Sequence, residues 1–196
     1  MVETDGPDVC ACERCPALVE SRSRIVNGVG PADAALCFVG EAPGANEDEE
    51  GEPFVGRSGS VLDDALRDAG LARADVRITN CVRCRPPENR DPRAEELDSC
   101  ADFLDREIEH VDPDLIVTLG KVPAQRVLDR DVAITKEAGS VVDARLGGES
   151  RRVLLCLHPA ATLYDRSQRE SFADAIGKAS ALVGASESDQ ARLGDY

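Results

Sequence analysis

The cysteines are the first residues in this sequence whose type and spacing suggest chemistry. A Cys-x-x-Cys pair and two later cysteines are placed to act as metal ligands: Cys12, Cys15, Cys84 and Cys100. Two intervening residues allow both thiolates of such a pair to face one inorganic centre, and four thiolates suit a zinc ion or an iron–sulfur cluster. The spacing does not choose between these two centres, and Cys10 and Cys81 are rival ligands.

The cysteine content also bears on the interior of the protein. Eight cysteines in a chain without an export signal favour free thiols over a disulfide framework. Cys37 and Cys156 fall inside apolar runs, so we expect them to be plain core residues.

A second group of candidate residues consists of single polar side chains that follow short apolar runs: Glu41, Asn80 and His158. If these runs are parallel strands, their carboxyl ends meet at the edge of the sheet where ligands of α/β proteins bind. A carboxylate, an amide and an imidazole at that edge predict a catalytic cleft. The alternatives are a solvated loop carboxylate for Glu41 and a turn former for Asn80. The other histidine, His110, is expected at the exposed end of a helix.

The elements that must position these side chains can be read from hydrophobic patterns. Continuous apolar runs predict four buried strands: Ala35–Val39, Val76–Thr79, Leu115–Leu119 and Val153–Leu157. Helical spacing predicts four helices: Ser60–Ala69, Ala94–Glu109, Val122–Leu128 and Ser171–Val183. This alternation predicts an α/β fold, in which a single domain over residues 1–183 has a four-stranded parallel sheet with helices on both faces. A polar, mobile tail is expected over residues 184–196.

The charge balance limits the classes of partner. The chain has 38 acidic and 23 basic residues, a net charge of −15. A coat of carboxylates suits a salt-rich cytoplasm, where salt screens their repulsion, although the chain could simply be an acidic protein. A general nucleic-acid binder usually has a basic face, so any DNA contact must come from a local arginine cluster. The absence of a long apolar run and of a signal peptide predicts no membrane span and a cytoplasmic location.

Several separate motifs, in a fixed order, carry a resemblance to a known family. They are Gly40-Glu41-Ala42-Pro43-Gly44 with Gly51-Glu52-Pro53-Phe54-Val55-Gly56, then Ile78-Thr79-Asn80, then Cys84-Arg85-Pro86-Pro87, and finally His158-Pro159-Ala160. From about Cys12 to Phe172 the chain resembles the family 4 uracil-DNA glycosylases. The resemblance implies a uracil-DNA glycosylase-like fold and the excision of uracil from DNA in base-excision repair. It also implies a [4Fe–4S] cluster, rather than zinc, on the four cysteines named first.

The resemblance assigns two catalytic residues and four uracil-binding residues. Glu41 would orient or activate water and stabilise the positive sugar, while His158 would donate a hydrogen bond to uracil O2 as the base leaves. The uracil-binding residues and their implied roles are Phe54, which stacks on the base; Asn80, which reads its O4 and N3–H edge; Glu47, which lies near C5 and excludes the thymine methyl; and Ala42, whose backbone amide binds O2.

The implied substrate is uracil-containing DNA, single- or double-stranded, with the target nucleotide flipped out of the stack. The expected DNA contacts are Arg57, Ser58, Arg85, Arg90 and Leu163, with Arg83 and Arg93 adding charge to the same loop. The alternative for each arginine is a surface ion pair. No lysine falls in a matching motif as a Schiff-base nucleophile, which predicts a monofunctional enzyme that leaves an abasic site. Base excision needs one subunit, so we expect a monomer.

Two other functions are compatible with parts of the sequence. A non-catalytic DNA-binding or redox-sensing module would use the same cysteines, but it would not need Glu41, Asn80 and His158 at three strand ends. A hydrolase of free deoxyuridine nucleotides would use the cleft, but it would have no need of the arginine-rich loop.

Overall fold

A five-stranded sheet organises the part of the chain that the computed structural model describes, which is residues 8–165 and 167–193. The strands are β1 (Leu36–Gly40), β2 (Arg77–Asn80), β3 (Leu115–Leu119), β4 (Val141–Leu146) and β5 (Glu149–Cys156). Their spatial order is β2-β1-β3-β5-β4, and every neighbouring pair is parallel except β4 with β5. The predicted α/β fold is confirmed, but the sheet is mixed and has five strands where a four-stranded parallel sheet was expected.

The additional strand, β4, lies at the sheet edge and pairs only with β5. Gly147 and Gly148 join the two strands, and both have the positive φ angles that a tight turn between antiparallel strands requires. Only Ala144 and Leu146 of β4 are buried. An edge strand that packs through one face has no continuous apolar run, so the sequence of β4 does not resemble that of a buried strand.

Helices cover both faces of the sheet. They are α1 (Pro16–Ser21), α2 (Ala45–Glu50), α3 (Gly56–Asp68), α4 (Ala94–Val111), α5 (Lys121–Leu128), α6 (Ile134–Glu137), α7 (Ala161–Tyr164) and α8 (Ser167–Leu193). The segment from residue 184, predicted to be a mobile tail, continues α8 as far as Leu193, and its last three residues lie outside the described part. No helix in the described ranges is long and apolar enough to cross a membrane.

The alternation of side chains along the strands divides the core into two layers. Phe38, Ile78 and Val117 pack on one face of the sheet against α3 and α8. Val39 and Ile116 pack on the other face against α4 and α5. Since both faces of the parallel strands are buried, their sequences read as unbroken apolar runs. Cys37 and Cys156 are fully buried in these layers, as expected for core residues.

A third, smaller core lies away from the sheet, at the N-terminal segment. It is formed by Val9, Leu18, Val82, Cys84, Cys100 and Phe103. Arg14 stacks over the Phe103 ring at 4.4 Å and forms an ion pair with Asp102 at 2.6 Å. These contacts hold the N-terminal segment against α4.

Candidate active site

A small cavity lies beyond the carboxyl ends of β1, β2 and β5, the position at which parallel sheets bind ligands. It has a volume of about 160 Å³ and is lined by Ala42, Gly44, Glu47, Phe54, Ser58, Asn80 and His158. Pockets for drug-sized ligands usually measure about 300–1,000 Å³, so this cavity suits a single small ring. The structure therefore brings together all four expected base-binding residues and one of the two expected catalytic residues.

The floor of the cavity depends on Gly40, the last residue of β1. Gly40 lies beside Asn80 in the sheet register. A Cβ atom on Gly40 would collide with Oδ1 of Asn80 and with the Phe54 ring. Because glycine has no side chain, the amide and the aromatic ring can both reach the same small space.

Phe54 adopts a backbone conformation that is unusual for a bulky residue. Its φ angle is 53°, in the left-handed region, and the ring is buried. Arg73 stabilises this turn by donating to the Phe54 carbonyl at 3.1 Å and to the Pro53 carbonyl. Arg73 also pairs with Asp63 of α3 at 3.0 Å. No local sequence pattern identifies Arg73 as a support of the ring, since its partners are distant in the chain.

Glu47 is held at the wall of the cavity by the start of α2. The Gly44 amide donates to Oε2 of Glu47 at 3.1 Å, and burial raises the pKa of the Glu47 carboxyl. The next residue, Asp48, is 2% exposed and accepts hydrogen bonds from the Ser23 amide at 2.8 Å and the Arg24 amide at 3.3 Å. Asp48 thus anchors the N-terminal segment to α2.

His158 is fixed in one tautomer by its own turn. The Ala160 amide donates to Nδ1 of His158 at 3.1 Å, so in the neutral ring the proton is on Nε2. Burial lowers the pKa of His158 to about 4, so the imidazole is neutral near pH 7. The ring centroid lies 5.8 Å from that of Phe54. The neutral ring is therefore a hydrogen-bond donor beside an aromatic platform.

Glu41 lies beside the cavity rather than in its lining. It precedes Ala42 in the turn after β1, and its carbonyl accepts the Val82 amide at 3.0 Å. Burial, with a further contribution from the Asp91 carboxylate, raises the pKa of Glu41 to about 7. A carboxyl group with this pKa can exchange protons near neutral pH, as a general base must.

The four candidate cysteine ligands gather around the third core. Cys84 and Cys100 are buried within it, and Cys12 and Cys15 pack against it. Arg22 donates to the Cys84 sulfur at 2.9 Å and to the Cys12 carbonyl at 2.7 Å. Among the described residues, no three His, Cys, Asp or Glu side chains converge as ligands of a single metal ion.

The rival cysteines lie elsewhere. Cys10 is exposed on the N-terminal segment. Cys81 packs in the sheet core with Cys37 and Val39, and burial raises the pKa of its thiol to about 12.

The expected DNA-contacting residues differ in their availability. Arg83 was expected to add positive charge to the DNA-contacting loop. It is instead 1% exposed and binds the buried Glu107, so it contributes no charge to that surface. Arg90 pairs with Glu96 through both of its terminal nitrogens, at 2.8 and 2.6 Å. Arg85 donates to Asn89 at 2.8 Å and is partly exposed, while Arg57 is exposed at the start of α3.

The turn after His158 presents apolar side chains to solvent. Leu163 is 39% exposed, and Tyr164, which the sequence does not single out, is 83% exposed. Both belong to α7, which begins three residues after His158.

Comparisons with known proteins give a consistent result. Residues 27–179 match the family model "Uracil DNA glycosylase superfamily". The chain is 39% identical over 193 residues to the type-4 uracil-DNA glycosylase of Archaeoglobus fulgidus, covering 96% of this chain and 95% of that protein. It is 41% identical over 186 residues to the type-4 enzyme of Thermotoga maritima, covering 93% and 95%. A type-5 uracil-DNA glycosylase of Pyrobaculum aerophilum is 32% identical over 207 residues, covering 88% and 89%.

Proposed function

This chain belongs to the type-4 enzymes of the uracil-DNA glycosylase superfamily, and we propose that it removes uracil from DNA by hydrolysing the N-glycosidic bond. The observation that carries the proposal is the meeting of Phe54, Asn80 and His158 in one cavity the size of a small ring, beside Glu41. The reaction is the first step of base-excision repair. A base cannot reach such a cavity from inside a duplex, so the nucleotide is flipped out of the stack.

Recognition of uracil follows from the chemistry of the lining. The Phe54 ring stacks on the base, and the Asn80 amide donates to O4 and accepts from N3–H. Cytosine has the reversed donor and acceptor at these two positions, so it would leave the buried amide unpaired. Glu47, pinned by the Gly44 amide, occupies the side where thymine carries its methyl group.

Bond cleavage creates two opposite charges that the site is arranged to stabilise. As the bond between N1 and C1′ breaks, its electron pair remains on uracil N1 and positive charge develops on the sugar. The neutral His158 donates from Nε2 to uracil O2, assisted by the Ala42 backbone amide. Glu41, as a carboxylate, stabilises the sugar and takes a proton from the water that adds to C1′.

We propose that the enzyme is monofunctional. The cavity lining in the described part of the chain contains no lysine or other amine that could form a Schiff base with the sugar. Lys121, the nearest in sequence to a strand end, is exposed at the start of α5. The product is therefore an intact abasic site.

The cysteine group supports a [4Fe–4S] cluster as the resident cofactor. Each of the four thiolates of such a cluster binds a different iron, so the sulfurs need not converge on one point as they would around zinc. The donor set suits this centre, because four free thiols lie within or against one apolar core and the Arg22 guanidinium offsets their negative charge. Cys12, Cys15, Cys84 and Cys100 would hold the cluster, which would thereby link the N-terminal segment to α4 and to the loop that follows β2.

DNA contact is proposed for the surface around the cavity mouth. Arg57 and Ser58 lie in the first turn of α3, where backbone amides favour a phosphate. Arg85 directly follows Cys84 in the chain, and the proposed role of Leu163, which is exposed on α7, is to enter the gap left by the flipped base. Arg90 contributes less than these residues, since Glu96 already occupies its guanidinium.

The acidic composition is proposed to suit a salt-rich cytoplasm. A net charge of −15 on 196 residues causes repulsion that dilute buffer does not screen. High salt also weakens phosphate contacts, so recognition must rely on the buried base contacts more than on charge.

The direct test is excision from a uracil-containing oligonucleotide across a range of salt concentrations, followed by alkali to cleave abasic sites. We expect strand scission after alkali and none without it. Scission without alkali would contradict the monofunctional proposal, and no scission at any salt concentration would overturn the glycosylase proposal.

The recognition scheme is tested by Asn80→Ala. Loss of a buried amide that reads the base should reduce excision on the order of 10⁴-fold, the discrimination typical of buried hydrogen-bond recognition. The visible absorption of the cluster should remain. Full activity in this variant would refute the role of Asn80.

A further inference from the structure

Glu107 is a buried carboxylate that the proposed reaction does not use. It lies on α4, and its side chain is 0% exposed. Its oxygens accept hydrogen bonds from Arg77 Nε at 2.7 Å, from Thr79 Oγ1 at 2.7 Å, and from Arg83 Nη2. All three donors are themselves buried. A carboxylate with three buried partners, two of them arginines, forms the centre of a charged network inside the protein.

The donors of this network bracket Asn80 in the chain. Arg77 and Thr79 belong to β2 and precede Asn80, and Arg83 follows it by three residues. Glu107 therefore holds the strand end on both sides of the residue that reads the base. The carboxylate acts from the α4 face of the sheet.

The network also reaches the cysteine group. Arg83 directly precedes Cys84 in the chain, and the Arg83 carbonyl accepts the Val26 amide at 2.8 Å. Cys100 precedes Glu107 on α4 by seven residues, which is about two helical turns, so both face the same direction. A single helix face thus carries a cluster ligand and the anchor of the β2 end.

The chain leaves room for this carboxylate at Gly28. A Cβ atom on Gly28 would collide with Oε1 of Glu107. The neighbouring Val29 exchanges two hydrogen bonds of 2.9 Å with Ile78, and Arg77 donates to the Gly30 carbonyl at 2.8 Å. The segment around Gly28 therefore closes over the network and adds backbone bonds to β2.

Stability alone does not account for this arrangement. Burying charges has a large desolvation cost, and well-packed apolar residues in place of a buried ion network are often as stable or more stable. A network of this kind is instead suited to fixing one geometry. We infer that Glu107 is a positioning residue for the uracil site: it holds residues 77–83 so that the Asn80 amide stays in the cavity, and it joins this segment to the cysteine group. This inference rests on the proposed function.

The test is the inhibition constant of free uracil in the excision assay, because this constant reports the base site without DNA contacts. Thr79→Val removes one hydrogen bond to Glu107 with little change of shape, and should weaken uracil binding about threefold to tenfold. Glu107→Gln removes the negative charge that pairs with two buried arginines, and should weaken uracil binding more than about tenfold. Cluster absorption and the circular dichroism of the folded protein should persist in both variants.

Arg151→Gln is the matched control. Arg151 is also a buried arginine, paired with Asp112 at 2.6 Å, but it lies at the β5 end remote from the cavity. This variant should lower the melting temperature and leave the uracil constant unchanged. Wild-type uracil constants in Thr79→Val and in Glu107→Gln would overturn the inference, and Thr79→Val decides alone if Glu107→Gln does not fold. If the wild-type protein neither excises uracil nor binds it, the proposed function itself fails.

Discussion

At the scale of single residues, the site relies on two groups whose pKa values move in opposite directions. Burial raises the pKa of Glu41 to about 7 and lowers the pKa of His158 to about 4. Burial opposes charge in both cases, so the carboxyl gains a proton more easily and the imidazole loses one more easily. Above about pH 4 His158 is therefore a neutral hydrogen-bond donor, and near pH 7 Glu41 changes from the neutral acid to the carboxylate.

This separation predicts the pH dependence of excision. Since Glu41 acts as a carboxylate, kcat/KM should rise with pH through an apparent pKa near 7, while His158 stays neutral over the same range. Glu41→Gln should reduce the rate about 10²- to 10⁴-fold and abolish the rise. Single-turnover rates between pH 5.5 and 8.5, at constant salt, measure both effects. A flat wild-type profile, or a rise that survives in Glu41→Gln, would contradict the assigned role.

The two histidines provide a matched pair of variants. His158 lies in the cavity lining, whereas His110 is exposed in the last turn of α4, as the sequence predicts. His158→Ala removes one donor to the leaving base and should lower the excision rate about 10²- to 10³-fold. His110→Ala should leave the rate unchanged. Equal rates for the two variants would show that no donor at position 158 assists the leaving group.

The sequence identifies the residues that line the cavity better than the residues that support them. Asn80 and His158 follow buried strands, so their position at the sheet edge can be predicted from local patterns. Arg73 donates to the Phe54 carbonyl, 19 residues away in the chain, and Glu107 accepts from Arg77, 30 residues away. A single sequence contains no periodicity that links such positions, which explains why these supports emerge only from the fold.

At the scale of elements, burial on two faces determines which strands can be predicted. The strand β3 is found at the predicted residues, Leu115–Leu119, because it is buried on both sides. The strand β5 begins earlier than expected, at Glu149, since its first residues pair with the edge strand β4 and are partly exposed. The antiparallel edge thus explains why β4 was not predicted and why β5 begins earlier than expected.

The N-terminal segment is an element whose order should depend on the proposed cluster. Apart from the cysteines, it is held to α4 by the exposed Arg14–Asp102 pair, by the stacking of Arg14 on Phe103, and by a small apolar core. Exposed ion pairs contribute only about 0.2–1 kcal/mol, so the Arg14–Asp102 pair adds little to this attachment.

Removal of the cluster should therefore release this segment and leave the sheet intact. After chelation under oxidising conditions, we expect amide hydrogen exchange over residues 12–22 to accelerate at least about tenfold, because opening of weakly held segments controls such exchange. Exchange in β1 and β3 should not change. The holoprotein, treated identically without the chelator, is the control. Unchanged protection of residues 12–22 would refute a structural role for the cluster.

At the scale of the whole molecule, the dominant feature is uncompensated negative charge. Several surface arginines are already paired with carboxylates, as in Arg67–Asp64 at 2.9 Å and Arg130–Glu137 at 2.7 Å, and the acidic excess of 15 remains. Repulsion among these carboxylates opposes the compact state. The Debye length falls from about 10 Å at 0.1 M salt to about 3 Å at 1 M, so salt should relieve this repulsion.

Stability should accordingly rise with salt, and the rise should depend on pH. At pH 7.5 we expect the melting temperature to increase by about 3–8 °C between 0.1 and 1 M KCl, which corresponds to about 1–2 kcal/mol for a chain of this size. Near pH 4.5, the isoelectric point of the sequence, the net charge vanishes and the increase should vanish with it. Thermal unfolding at both pH values separates charge screening from a general salt effect. An equal increase at the two pH values would show that salt acts on hydration, and that the acidic surface is not the cause.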